Sequence, residues 1–307
     1  MKSSILLAVY VLLTTLAAQS QQKTLPPALA SLAEAERAFA KTCVEKGVAA
    51  SFYEFFAEDG VNFQPGPVNT RTAFKSSLNA PKPPLTLNWA PIYGDVSQAG
   101  DLGYNTGPFL ITDQSEQKRP PRHGVFFSVW QKQTDGNWKV VVDAGIRTPE
   151  AAAELSAPYQ AAPPAQHATT RQPAKPSTDL NTERAALLQL DQTLFKAAAT
   201  EGYSQTLLRH LSEHARLHRN GRLPLLGKTA IRAYLAGDAS LAQGEPLKAD
   251  VARSNDLGYT YGSYELRARQ TAAMVEKGFY ARVWRRNSAG QWEIVLDTTS
   301  PATPEQK

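Results

Sequence analysis

The feature that most constrains this chain is that it states one pattern twice. Asp101-Leu102-Gly103-Tyr104, Val129-Trp130, Gly136-Asn137-Trp138 and Asp143 reappear as Asp256-Leu257-Gly258-Tyr259, Val283-Trp284, Gly290-Gln291-Trp292 and Asp297. The first pair of motifs is offset by 155 residues, 256 against 101, and the later ones by 154, 284 against 130. Self-similarity at a fixed offset marks a duplicated structural unit, and a period this long is a whole domain. A chain of 307 residues has room for two such domains. The spacing predicts a leader at 1–20, a first domain at 21–148, a linker at 149–182, a second domain at 183–300 and a tail at 301–307.

Each copy carries the same order of elements. In the first, Leu29, Leu32, Ala33, Glu36, Phe39 and Cys43 recur at three and four residues, which predicts a helix over 29–46 that Gly47 stops. A second helix is expected at 49–57, a short strand at 61–64 and a third helix at 70–79. Strands follow at about 85–97, 102–112, 123–133 and 137–144. In the second copy Asp191, Leu194, Lys196 and Gly202 answer Glu36, Phe39, Lys41 and Gly47 at offset 155. The expectation is α+β: two domains, each a bent antiparallel sheet covered by about three helices.

Residues 149–182 are rich in Ala, Pro, Gln, Ser and Thr, a composition that buries little and favours an extended linker. At the N-terminus, Lys2 precedes an apolar run from Ile5 to Leu16, followed by small residues at Ala17-Ala18 and Ser20. The run is too short to span a bilayer, which takes ~20 residues, and predicts a secretory signal cleaved near Gln19 or Gln21. After its removal no membrane span is expected. With Cys43 as the only cysteine, an exported chain has no internal disulfide. Residues 21–150 balance 13 Lys/Arg against 13 Asp/Glu, while 180–307 hold 17 against 13. No basic run interleaves with aromatics, so nucleic acid is not an expected partner.

The order and residues resemble the nuclear transport factor 2-like superfamily, in particular its SnoaL-like branch. The carrying residues are Ala35-Glu36-Arg37-Ala38-Phe39, Asp59-Gly60-Val61, Phe63-Gln64-Pro65-Gly66-Pro67, Trp89, Gly100 to Tyr104 and Val129-Trp130 in the first copy. Asn220-Gly221, Gly227 to Arg232, Asp256 to Tyr259 and Trp284 carry it in the second. The resemblance implies a cone-shaped domain with a pocket between bent sheet and helices, and dimers through the outer sheet face. It does not imply one activity, because the fold hosts isomerases, dehydratases, cyclases and plain binders.

Several motifs fall away. Gly227-Lys228-Thr229 ends like a phosphate loop, but that loop needs Gly at 222, where Arg222 stands. His210, His214 and His218 are spaced by four, yet the repeat aligns His214 with the turn residue Asp59 and His218 with the strand residue Phe63, so no zinc-binding helix face forms. No cofactor or metal is expected. Neither Phe63-Gln64 nor Leu217-His218 offers a pocket carboxylate, and Asp143 and Asp297 read as strand-closing structural residues. The remaining clues are aromatic. Phe63, Trp89 and Tyr104 are expected to line the first pocket, and His218, Tyr259 and Tyr261 the second. The alternating rows Phe126, Ser128, Trp130 and Tyr280, Arg282, Trp284 are expected to form a sheet-to-sheet interface that makes the chain an intramolecular pseudo-dimer. The functional expectation is an exported binder of a small apolar or amphipathic ligand. The alternatives are an isomerase- or hydrolase-type enzyme using His218, and a structural association module.

Overall fold

The computed structural model describes residues 25–164 and 179–302. The leader read at 1–20 and part of the linker lie outside them. The first copy folds as α1 (Pro27–Lys46), α2 (Val48–Phe55), β1 (Phe56–Phe63), β2 (Pro67–Asn69), α3 (Thr70–Lys75), β3 (Leu85–Trp89), β4 (Tyr93–Val96), β5 (Leu102–Asp113), β6 (Arg122–Lys132) and β7 (Trp138–Thr148), with β8 (Gln160–Ala161) after it. The second folds as α4 (Leu180–Ala198), α5 (Tyr203–His210), β9 (Leu211–His218), β10 (Leu225–Leu226), α6 (Lys228–Leu235), β11 (Ser240–Val251), β12 (Leu257–Ala268), β13 (Met274–Arg286) and β14 (Trp292–Pro301). The protein is α+β with two sheets. One runs β2-β1-β7-β6-β5-β4-β8, with β3 also on β5, and the other β10-β9-β14-β13-β12-β11.

The sheets are mixed where antiparallel ones were expected. β1 pairs parallel with β7, and β9 parallel with β14. Both copies carry the same irregularity, a register shift between Val129 and Trp130 on β6 and between Val283 and Trp284 on β13. Such shifts bend a sheet, and the bend lets each sheet wrap its helices. The predicted strand over 85–97 is broken into β3 and β4. Its counterpart β11 continues through a register shift between Pro246 and Lys248.

Helix α1 shows why the cone fills as it does. Pro27 sits at its start, and Gly47 at φ 90° ends it in a conformation that favours glycine. Its buried stripe is Leu29, Leu32, Ala33, Glu36, Phe39, Ala40 and Cys43. One carboxylate therefore lies inside an otherwise apolar face. Helix α4 repeats this with Asp191 among Leu187, Leu194, Phe195 and Ala198.

The two sheets pack on each other by their outer faces. One apolar cluster joins Leu102, Tyr104, Phe127, Val129 and Val142 of the first domain to Leu257, Tyr259, Tyr261, Ala281 and Val283 of the second. The contact is reciprocal. The Gln98 amide donates to Asp256 Oδ2 at 3.0 Å, and the Arg253 amide donates to Asp101 Oδ2 at 3.2 Å. These residues are repeat equivalents, so each patch meets its own copy, as two-fold symmetry requires.

The expected interface rows are on the wrong faces. Phe126 and Trp130 lie in the core under the first domain's helices, and Tyr280 and Trp284 in that of the second, with Arg282 buried beside them. The interface uses the alternate residues, Phe127 and Val129 against Ala281 and Val283. The reason is shape. The cone interior needs large side chains to fill it, whereas two sheets packed face to face stand only ~10 Å apart.

The linker is partly structured. Gln160 and Ala161 add a parallel strand to β4, with Gln160 N donating to Ile92 O at 2.9 Å and Ala162 N to Gly94 O at 2.8 Å. Tyr159 anchors the segment by donating its hydroxyl to Asn105 Oδ1 at 2.9 Å.

Candidate functional site

The first cone encloses a cavity of about 220 Å³ between its sheet and helices α2 and α3. Phe52, Phe74, Trp89, Phe109 and Phe126 supply apolar walls, and Asn62, Gln64 and Asp143 the polar groups. Asp143 reaches the cavity because β7 pairs it with Asn62 of β1, so both project to the inner face. Among the described residues its carboxylate has no hydrogen bond or ion pair.

Behind it lies Glu36, fully buried. Its Oε1 accepts from Trp89 Nε1 at 2.8 Å. Its Oε2 accepts from Ser128 Oγ at 2.5 Å, Trp130 Nε1 at 2.7 Å and Asn105 Nδ2 at 3.2 Å. Burial pushes the Glu36 carboxyl up, and these four donors pull it part of the way back. Asp143 has no such donors. Burial first, and then the charge of Glu36, push it well above the ordinary carboxylic range. Of the two, Asp143, which faces the cavity and has no donors, is the one whose surroundings favour the protonated form. A protonated carboxyl in an aromatic pocket can donate a hydrogen bond to a ligand oxygen, or exchange a proton with it.

The second cone holds the same positions filled differently. Asp191 replaces Glu36, Asp297 replaces Asp143, Arg282 replaces Ser128 and Tyr280 replaces Phe126. Arg282, 1% exposed, bridges the acids, bonding Asp191 through Nη1 and Asp297 through Nε at 2.6 Å. Arg219 adds a bond to Asp297 Oδ1 at 2.6 Å, and the Tyr280 hydroxyl donates to Asp191 at 2.7 Å. Burial pushes Asp297 up, but the Arg219 and Arg282 guanidiniums outweigh it and hold it below the usual range. This interior is a closed ion-pair network. Two exchanges, serine to Arg282 and glutamine to Arg219, bring in the guanidiniums that bind the acids of the second core, where the first cone has a cavity.

Of the residues expected to line the two pockets, Trp89 and Phe63 border the first cavity. Phe63 also meets Tyr261 edge to face at 6.1 Å across the domain boundary. Tyr104, Tyr259 and Tyr261 belong to the interdomain cluster, so they do not line a cone. His218 is 1% exposed, and neither ring nitrogen has a hydrogen-bond partner among the described residues. Burial, with Arg216 and Arg219 nearby, drives its pKa down to about 3, so it is neutral. By alternation it faces away from Leu217, which is in the second core, and shares a face with its partner Thr298. It is not a pocket base. The residues missed were Asp143 and Glu36. The available signal was an acid at the same place on the apolar stripe of both first helices. Among the described residues no group of His, Cys, Asp or Glu is placed to hold a metal, and no helix is long and apolar enough to cross a membrane.

No protein-family model and no curated protein matches the chain. Its structural neighbours are NTF2-like and ketosteroid isomerase-like proteins with a cystatin-like fold. A ketosteroid isomerase-like protein from Erwinia carotovora atroseptica is 15% identical, with TM-score 0.34 over 39% of this chain and 96% of its own. An NTF2-like protein with a cystatin-like fold from Novosphingobium aromaticivorans is 18% identical, with TM-score 0.32 over 42% of this chain and 94% of its own. An NTF2-like protein of unknown function from Pseudomonas putida is 14% identical, with TM-score 0.33 over 41% of this chain and 91% of its own.

Proposed function

We propose that the first domain binds a small, mostly apolar molecule bearing one hydrogen-bonding oxygen, and that Asp143 engages that oxygen. The carrying observation is the unpartnered Asp143 carboxyl in an aromatic-walled cavity whose repeat equivalent is sealed by Arg282. At about 220 Å³ the cavity falls below the ~300–1,000 Å³ of drug-sized sites, which suits a one- or two-ring ligand. The second domain then acts as the scaffold on which the first is mounted. The leader read at the N-terminus makes this an exported binder, and sequencing the mature N-terminus checks that part.

The test compares 1-indanone with indane, two probes of the same shape of which one has a carbonyl, followed by quenching of tryptophan fluorescence. Indanone should bind more tightly, Asp143→Leu should erase the difference, and Ser128→Arg should abolish both by copying the plug of the second cone. Equal binding of the two probes, or binding that survives Ser128→Arg, would sink the reading.

A second reading is favoured by the raised Asp143 carboxyl, a proton-transfer enzyme with Asp143 in the role first given to His218. It requires deuterium to enter indanone next to its carbonyl in D2O with the wild-type protein and not with Asp143→Asn.

A further inference from the structure

The pseudo-symmetry of the two domains creates two equivalent clefts at the ends of their interface, and they differ. In one, Lys248 of β11 bonds Asp59 of β1 at 2.6 Å and ties the walls together. In the other, the equivalent positions hold Tyr93 and His214, and a cavity of about 240 Å³ remains. It is walled by both domains and roofed by the linker segment at Pro163 and Pro164.

Strong hydrogen-bond donors are left free in this cleft. Its carboxylates each have a partner already. Asp95 accepts from Arg285 and from the Val96 amide at 2.9 Å, Glu293 accepts from Asn287 Nδ2 at 2.8 Å, and Glu213 pairs with Lys228 at 3.6 Å. Among the donors, Arg285 uses Nη1 for Asp95 and for the Pro163 carbonyl, and its Nε and Nη2 make no hydrogen bond among the described residues. Tyr104 is 1% exposed and its hydroxyl has no partner, and the buried Ser212 Oγ has none either. A buried polar group without a partner costs free energy unless something else satisfies it. The position equivalent to Arg285 is Gln131, which reaches Asp250 at 3.5 Å and brings no charge. The other cleft has cations of its own, but Lys248 and Arg184 are bound to Asp59 and Asp250, so the Arg285 position supplies a cationic donor only in the cleft that holds the cavity.

The geometry points to this cleft as a second ligand site, for a short-chain monocarboxylate. Arg285, Tyr104 and Ser212 would donate to its oxygens, and its apolar body would lie against Tyr93, Pro163 and Val295. A dianion such as phosphate fits poorly, because Glu213 and Glu293 stand in the same wall. The site is separate from the first cone, since Tyr104 projects from the opposite face of the sheet to Asn105, which bonds Glu36 inside the cone.

Isothermal titration of the full chain with butyrate, butyramide and inorganic phosphate tests this. Butyrate should bind in the millimolar range or better, and butyramide and phosphate at least about tenfold more weakly. Tyr104→Phe should weaken butyrate about tenfold while leaving the melting temperature unchanged or higher, because it deletes an unsatisfied hydroxyl without altering shape. Arg285→Gln should abolish binding, and Ser128→Arg should leave it intact. Absence of butyrate binding, phosphate binding as tight as butyrate, or full affinity in Tyr104→Phe would each overturn the assignment. Loss of butyrate in Ser128→Arg would place it in the first cone instead, and would also overturn it.

Discussion

Replacing Arg282 by Met tests the claim that the second cone is held by charge rather than left able to bind. Methionine keeps most of the volume and carries no charge. In the native interior Arg282 touches two acids that are both 0% exposed, Asp191 and Asp297, and lies over the rings of Phe195 at 4.9 Å and Tyr280 at 4.4 Å. After the change Asp297 keeps Arg219, and Asp191 keeps only the Tyr280 hydroxyl. Removing one partner from a buried pair costs about 3–5 kcal/mol, because an uncompensated charge remains. A domain of ~100 residues loses roughly 4 °C of melting temperature per kcal/mol, so the second domain should melt about 12–20 °C lower at pH 7.

The sign of the pH dependence discriminates further. The Asp297 carboxyl is depressed in the folded protein, so its stabilisation is present above the ordinary carboxylate pKa of ~3.9 and disappears as pH falls through the folded value. In Arg282→Met, Asp297 loses one of the two guanidiniums that depress it, so less of this stabilisation remains to be lost on acidification. The deficit against wild type should therefore shrink between pH 7 and pH 4. Differential scanning calorimetry gives the melting shift, and hydrogen-exchange mass spectrometry of peptides from α4 and β13 assigns it to the second domain. A loss under about 1 kcal/mol at pH 7, or a deficit that grows on acidification, would refute the reasoning.

The remaining predictions are these. Asp143→Asn should stabilise the protein above about pH 4. The raised native carboxyl favours folding below the unfolded pKa and loses that contribution as pH rises through the folded value, and the amide has no such loss; urea titrations at pH 4 and pH 8 check it. Val129→Asp with Val283→Asp puts two charges into the interdomain cluster and should separate the domains, seen as a larger radius of gyration in small-angle scattering. Tyr159→Phe removes the bond to Asn105, costs about 1 kcal/mol locally, and should speed proteolysis within 150–164.

The duplication, the α+β class and the order of elements were legible because period and turn residues survive in both copies. The facing of the strands was not. β6 reads Val125, Phe126, Phe127, Ser128, Val129, Trp130, all buried, since one face lies under helices and the other against the second domain. A strand covered on both sides alternates between two apolar rows, and alternation separates the rows without saying which is inner. Side-chain size was the better guide, as Trp130 and Trp284 fill cones and Val129 and Val283 fill a flat interface. The same ambiguity hid Asp143, whose role depends on its register with Asn62. In the linker, Tyr159 was the discordant residue, a lone large aromatic in an Ala/Pro stretch, and it is the one that docks.

The two interiors show how duplication can separate binding from support. Both began from the same constraint, an acid on the first helix facing an acid on the last strand inside a cone. Two buried carboxyls that close cannot both ionise cheaply. The second domain resolves this with Arg282 and Arg219, two guanidiniums for two acids, and Arg282 occupies the space a ligand would need. The first resolves it by surrounding Glu36 with four donors and leaving Asp143 at the cavity, where its proton satisfies the electrostatics. The first solution is available only if the domain can tolerate an unfilled interior. The reciprocal interface supplies that tolerance, because the outer face of the first domain's sheet is braced by the filled one.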